Sequence, residues 1–122
     1  MSNAKYGENA DDIDKLGRKY GNKFATEGVT TSQLRRIYSE VKRAENHYKH
    51  EDSEDRAREI LVLLRPKLAY SASRSEEMEV VRKHVSALLK KYVTEGESMP
   101  YFFEIMEATV AYHAYYTETE GA

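Results

Sequence analysis

Apolar residues along this chain recur at intervals of three and four, never in strict alternation, so each periodic segment predicts a helix and none a strand. The clearest case begins at Thr30. Leu34, Ile37, Tyr38, Val41, Ala44 and Tyr48 share one face of a helix expected to run to about Lys49, and Arg35, Arg36, Lys42, Arg43 and Lys49 fall on the other. Thr30 and Gln33 have capping-box spacing: the Thr hydroxyl can accept from the Gln33 N–H while the Gln side chain accepts from the Thr30 N–H. Val29 and Leu34 flank the box where a hydrophobic staple would sit, and Gly28 lets the chain turn in.

The same period predicts four more helices. Asp11 or Asp12 is the expected cap of a first helix carrying Ile13, Leu16, Tyr20 and Phe24, in which Gly17 and Gly21 each cost about 1 kcal/mol relative to Ala, so that packing must hold it. Asp52 or Ser53 should cap a third, with Ala57, Ile60, Leu61, Leu64, Leu68 and Ala72 in one stripe and Leu63 and Tyr70 widening it. That breadth makes it the expected centre of the core. Pro66 predicts a bend, and the period beyond it favours one continuous helix over two. Ser73 and Glu76 repeat the capping-box spacing ahead of Met78, Val81, Val85, Leu88, Leu89 and Tyr92, with Gly96 as the stop. Ser98 and Pro100 open a last helix that is apolar around much of its circumference: Phe102, Phe103, Ile105, Met106, Val110, Tyr112 and Tyr116. The expected fold is all-α, a compact bundle of about five helices forming one domain over residues 11–117. Segments 1–10, partly a cloning remnant at Ser2-Asn3-Ala4, and 118–122 are expected to lie outside it.

Composition adds boundaries. A chain of 122 residues suits one core; no apolar run approaches the roughly 18 residues that a membrane span needs. With no Cys there is no disulfide frame, no thiolate metal site and no thiol nucleophile, and a cytoplasmic protein is expected. The net charge of −2 conceals a division along the chain. Residues 1–17 carry −2, residues 18–91 hold 17 Lys or Arg against 11 acids for +6, and residues 92–122 hold six acids and no Lys or Arg. A basic middle and an acidic end suit a polyanion partner, or copies of the chain meeting end to middle; solvated helix faces would look the same.

Catalytic patterns are missing. There is no G-x-S-x-G, no glycine-rich phosphate loop and no H-E-x-x-H, and the adjacent acids Asp11-Asp12 and Glu76-Glu77 point apart on a helix. His47 and His50 share a helix side beside Glu51 but have no third ligand in view, since His84 and His113 belong to other helices. No enzyme activity, metal or cofactor is therefore expected. Of the ten tyrosines, Tyr20, Tyr38 and Tyr92 fit core-edge packing; Tyr70, near Lys67 and Arg74, is the candidate nucleic-acid contact.

Three segments in order then carry a resemblance: Val29-Thr30-Thr31-Ser32-Gln33-Leu34-Arg35-Arg36, Leu63-Leu64-Arg65-Pro66-Lys67-Leu68-Ala69-Tyr70-Ser71-Ala72-Ser73-Arg74, and Glu107-Ala108-Thr109-Val110-Ala111-Tyr112-His113. Together they resemble the small subunit of type III-A CRISPR Csm effector complexes, over about Phe24 to Tyr116. The resemblance implies a non-catalytic helical subunit, stacked in copies of itself as a minor filament along the crRNA-bearing backbone subunits and holding target RNA opposite the guide. It implies RNA contacts at Arg35, Arg36, Lys42, Lys67 and Arg74, to which the reading of the tyrosines adds Tyr70; Ser71 and Ser73 stand where small residues, often Ala or Gly, are expected. Two other readings fit the residues. A helix-turn-helix DNA binder could use the capped Thr30 helix for recognition, although about twenty uninterrupted residues is long for that motif, and a purely structural adaptor needs no nucleic acid.

Overall fold

In the computed structural model, residues 6–50, 53–96 and 98–121 are described, and their regular structure is entirely helical. The Ser2-Asn3-Ala4 run and the pair Glu51 and Asp52 lie outside those residues. Five α-helices follow in order: α1 Tyr6–Thr26, α2 Thr31–His50, α3 Glu54–Arg74, α4 Met78–Leu89 and α5 Met99–Gly121, with a π-helical turn over Lys90–Thr94 between the last two. Going round the bundle, α1 packs on α5, α5 on α2, α2 on α3, α3 on α4, and α4 returns to α1.

The start of α2 follows the expected chemistry closely. Gln33 N–H donates to Thr30 Oγ1 at 3.1 Å and Thr30 N–H donates to Gln33 Oε1 at 2.9 Å, a reciprocal box that satisfies two amides at a helix end. Val29 and Leu34 are both buried beside it, and Gly28 enters at φ 92°, a left-handed conformation that suits Gly. Ser53 caps α3 by accepting from the Arg56 N–H at 3.2 Å. Ser98 Oγ does the same for α5 through Tyr101 N–H at 3.3 Å.

Other expectations are corrected. Helix α1 begins at Tyr6, ahead of Asp11 and Asp12, so the expected cap falls inside it. Helices α1 and α5 run through residues 6–10 and 118–121; once a helix exists, each added residue brings a hydrogen bond for two dihedrals fixed, and no Pro stands in the way. The Ser73/Glu76 box does not form. Instead α3 continues to Arg74, Ser73 Oγ turns back to donate to the Tyr70 carbonyl at 2.7 Å, and Ser75 serves as the C-cap, its N–H on the Ser71 carbonyl. Helix α4 then starts at Met78 behind Glu77, which makes no side-chain cap.

The core centre also shifts. Leu63 and Tyr70 do not widen the buried stripe of α3; they are 57% and 63% exposed. They lie on the opposite side of the helix from Leu61, Leu64 and Leu68, so burying both sides would need a neighbour that this bundle does not place there. Helix α5 supplies the bulkier interior instead, with Phe102, Phe103, Ile105, Met106, Thr109 and His113 all buried. Pro66 is tolerated inside α3 because it faces outward: the residue four positions back, Val62, is 43% exposed, so water can reach the carbonyl that Pro66 leaves without an amide.

Two local features complete the frame. Where α4 widens into the π turn, the Arg58 guanidinium of α3 donates to the Val93 carbonyl, and Glu95 N–H closes on the Lys90 carbonyl at 2.8 Å before Gly96 turns the chain at φ 78°. His113, 1% exposed, places Nε2 2.7 Å from the Val29 carbonyl, so α5 braces the loop that carries the capping box.

Candidate nucleic-acid interface

Helices α2 and α3 pack through Leu34, Ile37, Val41, Leu64 and Leu68 but diverge at the surface, leaving a groove of about 720 Å³. Its floor is apolar: Ile37, Leu64 and Met78, with Pro66 on the rim. Its walls carry Arg36 from α2 and Lys67, Tyr70 and Arg74 from α3, while Gln33, Ser39, Ser71 and Ser75 supply neutral polar groups. The spacing explains the gathering. Lys67, Tyr70 and Arg74 recur at three and four residues on one side of α3, and α2 presents Arg36 across from them.

One acid lines this groove. Glu40 accepts from Arg43 at 2.8 Å and from Lys67 at 3.1 Å, and these two cations, Arg43 first, hold its carboxyl below the usual carboxylate range against the opposing effect of partial burial. Arg36 has no acidic partner among the described residues. Arg74 Nη1 donates to the Tyr70 hydroxyl at 2.9 Å, and its guanidinium carbon lies 5.7 Å from the ring centroid. At neutral pH the groove therefore holds three cations and one carboxylate over an apolar base.

Of the six residues marked in the sequence, four come together here: Arg36, Lys67, Tyr70 and Arg74. Arg35 and Lys42 are exposed on α2 outside the lining. Lys42 is committed to Glu45 at 3.0 Å, which raises its ammonium pKa above the ordinary value. Burial alone would raise the Glu45 carboxyl, yet hydrogen bonds from Lys49 and Lys42 bring it below its ordinary range. Sequence reading missed Gln33 as a groove residue. Its side-chain oxygen serves the capping box while its amide nitrogen donates to Glu77 at 2.8 Å, tying the start of α2 to the α3–α4 turn; Gln can do both because its amide is acceptor and donor at once.

Among the described residues no group of three His, Asp or Glu side chains is placed to hold a metal ion, and no helix is long and apolar enough to cross a membrane. A second groove lies between α1 and α4, but its lining mixes Lys19, Lys23 and Lys83 with Glu27, Glu76 and Glu79. It lacks the one-sided charge of the first.

Compared with known families, residues 7–119 match the family model described as Csm2 Type III-A. The chain belongs to the Csm2 type III-A family. Neither a curated relative nor a solved structure matches it. Membership makes it the small subunit of type III-A Csm effector complexes, as the three sequence segments imply, and in the Csm2 family this subunit is structural and non-catalytic. The matched range takes in every residue of the α2/α3 groove.

Proposed function

We propose that this Csm2-family subunit holds target RNA in the α2/α3 groove, without sequence preference and without catalysis, while copies of the subunit stack beside the crRNA-bearing backbone. The observation that carries this reading is the convergence of Arg36, Lys67 and Arg74 on one groove in which, among the described residues, the single acid is Glu40, paired with Arg43 from outside the groove as well as with Lys67. Phosphates supply the affinity, and the neutral hydroxyls of Ser39, Ser71 and Ser75 add hydrogen bonds that do not depend on base identity. Arg35 and Lys42 flank the path: Arg35 makes a long-range contribution, and Lys42 a smaller one because Glu45 holds it. The exposed acids of α5, Glu104, Glu107 and Glu118, with Tyr115 beside them, fit contact with neighbouring protein subunits rather than with RNA.

The test is the salt dependence of binding to single-stranded RNA. Each phosphate neutralised on a single strand contributes about 0.7 to the slope of log affinity against log salt, so Arg36→Ala and Lys67→Ala should each flatten the slope by about that amount. A helix-turn-helix protein would instead prefer one duplex sequence, and a purely structural adaptor would show no RNA affinity to lose. Unchanged slopes in a double variant that folds normally would remove this groove from the RNA path.

A further inference from the structure

Building on the RNA reading of the groove, we propose that Tyr70 is a base-stacking platform, so that the subunit engages an unpaired nucleobase and thereby distinguishes single-stranded RNA from duplex. The inference starts from what the other tyrosines do. Tyr20 packs on Phe24 and His84, Tyr48 on Phe103, Tyr92 on Tyr101, and Tyr112 and Tyr115 on Tyr116. Tyr38 is half-buried against the core. Tyr70 differs from these in combining two features: it is 63% exposed, close to the 58% of Tyr115, but unlike Tyr115 it has no other ring against it among the described residues.

Among the described residues its side-chain partner is Arg74, which restrains it. Arg74, one turn further along α3, donates to the hydroxyl at 2.9 Å with its guanidinium carbon over the ring, 5.7 Å from the centroid, and the 63% exposure of Tyr70 leaves the rest of the ring open to solvent at the groove wall. A side chain already held in one rotamer loses less entropy on binding. Arg74 also stands where the phosphate next to a stacked base would pass, with Lys67 one turn back along the same wall. A paired base is covered by its neighbours above and below and offers no free face; an unpaired base can leave the stack and lie on the ring.

The full chain should be titrated with three ligands of one length: a mixed-sequence single-stranded RNA, an abasic ribose-phosphate strand, and an RNA duplex. Base–aromatic stacking predicts that the protein prefers the base-bearing strand over the abasic one by roughly tenfold or more, that Tyr70→Ala removes this preference by weakening the base-bearing strand far more than the abasic strand or the duplex, and that Tyr70→Phe retains it. Equal weakening of all three ligands by Tyr70→Ala, or no change in any of them, would overturn the platform. Failure of the groove reading has a separate signature: abasic-strand binding that ignores Arg36→Ala and Lys67→Ala. A base preference that still depends on Tyr70 in that case would leave the platform standing without the phosphate path.

Discussion

Two helix pairs in this bundle meet in opposite ways. Between α1 and α5 the backbones touch: a Cβ built on Gly17 would lie 2.4 Å from Ala108 Cβ, and one built on Gly21 would lie 2.7 Å from both the His113 amide nitrogen and Tyr112 Cβ. That seam is closed further by Arg18, which pairs with Asp14 at 2.8 Å and donates to the Tyr112 hydroxyl, itself donating to Asp14. Between α2 and α3 the interior is equally well filled, yet Arg36, Lys67, Tyr70 and Arg74 stand out from the surface around an open trough. Residue size decides the difference. Two glycines one turn apart let helices approach until nothing else fits, whereas long charged side chains that water holds outward keep the other seam open for a ligand.

The largest expected effect tests the closed seam. On helix propensity alone, Gly17→Ala or Gly21→Ala in the middle of α1 would gain about 1 kcal/mol. The approach of Ala108, Tyr112 and the His113 backbone reverses the sign, because an added methyl must push two helices apart, and we expect each substitution to destabilise the protein by about 1–3 kcal/mol. A thermal midpoint raised by either change would mean that the glycines are not there for close approach. The sequence supplied the glycines and the correct demand that packing must hold α1, but not their reason, since that depends on which helix lies opposite.

The same distinction separates what could be read in advance from what could not. The box at Thr30 and Gln33, the cap at Ser53 and the stop at Gly96 are local, settled by residues within one turn, and they formed as expected. The Ser73/Glu76 pair has the same spacing and failed, because α3 was still running through it and the Ser73 hydroxyl found the Tyr70 carbonyl first. Leu63 and Tyr70 were misplaced for a related reason: a broad apolar stripe fixes a helix but not how much of its circumference neighbours will cover. At the groove, Arg36, Lys67, Tyr70 and Arg74 were legible as charges and an aromatic at helical spacing. Arg35 and Lys42 stay outside because, at about 100° per residue, both lie well round α2 from Arg36; that Arg36 meets the α3 residues depends on which helix lies opposite, which no local pattern encodes.

A second experiment, of intermediate size, sharpens the link between the capping box and the open seam. Thr30→Ala should cost about 1 kcal/mol through loss of the hydroxyl acceptor. Gln33→Glu keeps an acceptor for the Thr30 amide but sets a second carboxylate against Glu77, whose own carboxyl the Gln33 hydrogen bond now holds below its ordinary range. It should therefore destabilise the protein as well, and more at neutral pH than at a pH where the carboxylates are protonated. Equal stability of Gln33→Glu and the parent at neutral pH, measured by chemical denaturation, would show that the tie to the α3–α4 turn does not matter.

The smallest effect on stability accompanies the most informative change for the groove, Glu40→Gln. Glu40 is the one acid lining the trough, and its carboxyl is held below its ordinary value by Arg43 and Lys67. A carboxyl depressed in the folded state adds stability above its unfolded pKa, near the ordinary value of 4.5, and that stability is lost as pH falls through the lower folded value. The parent should thus lose stability below about pH 4.5 more steeply than Glu40→Gln. At neutral pH the two should differ by less than about 1 kcal/mol, as expected of surface ion pairs. RNA binding should respond in the opposite sense. Removing the carboxylate leaves Lys67 wholly to the phosphate it contacts and deletes a repulsive charge beside that phosphate, so single-stranded RNA should bind more tightly at any given salt concentration. An unchanged affinity, in a variant whose acid limb has flattened as described, would prove the carboxylate replaced and the groove empty of RNA.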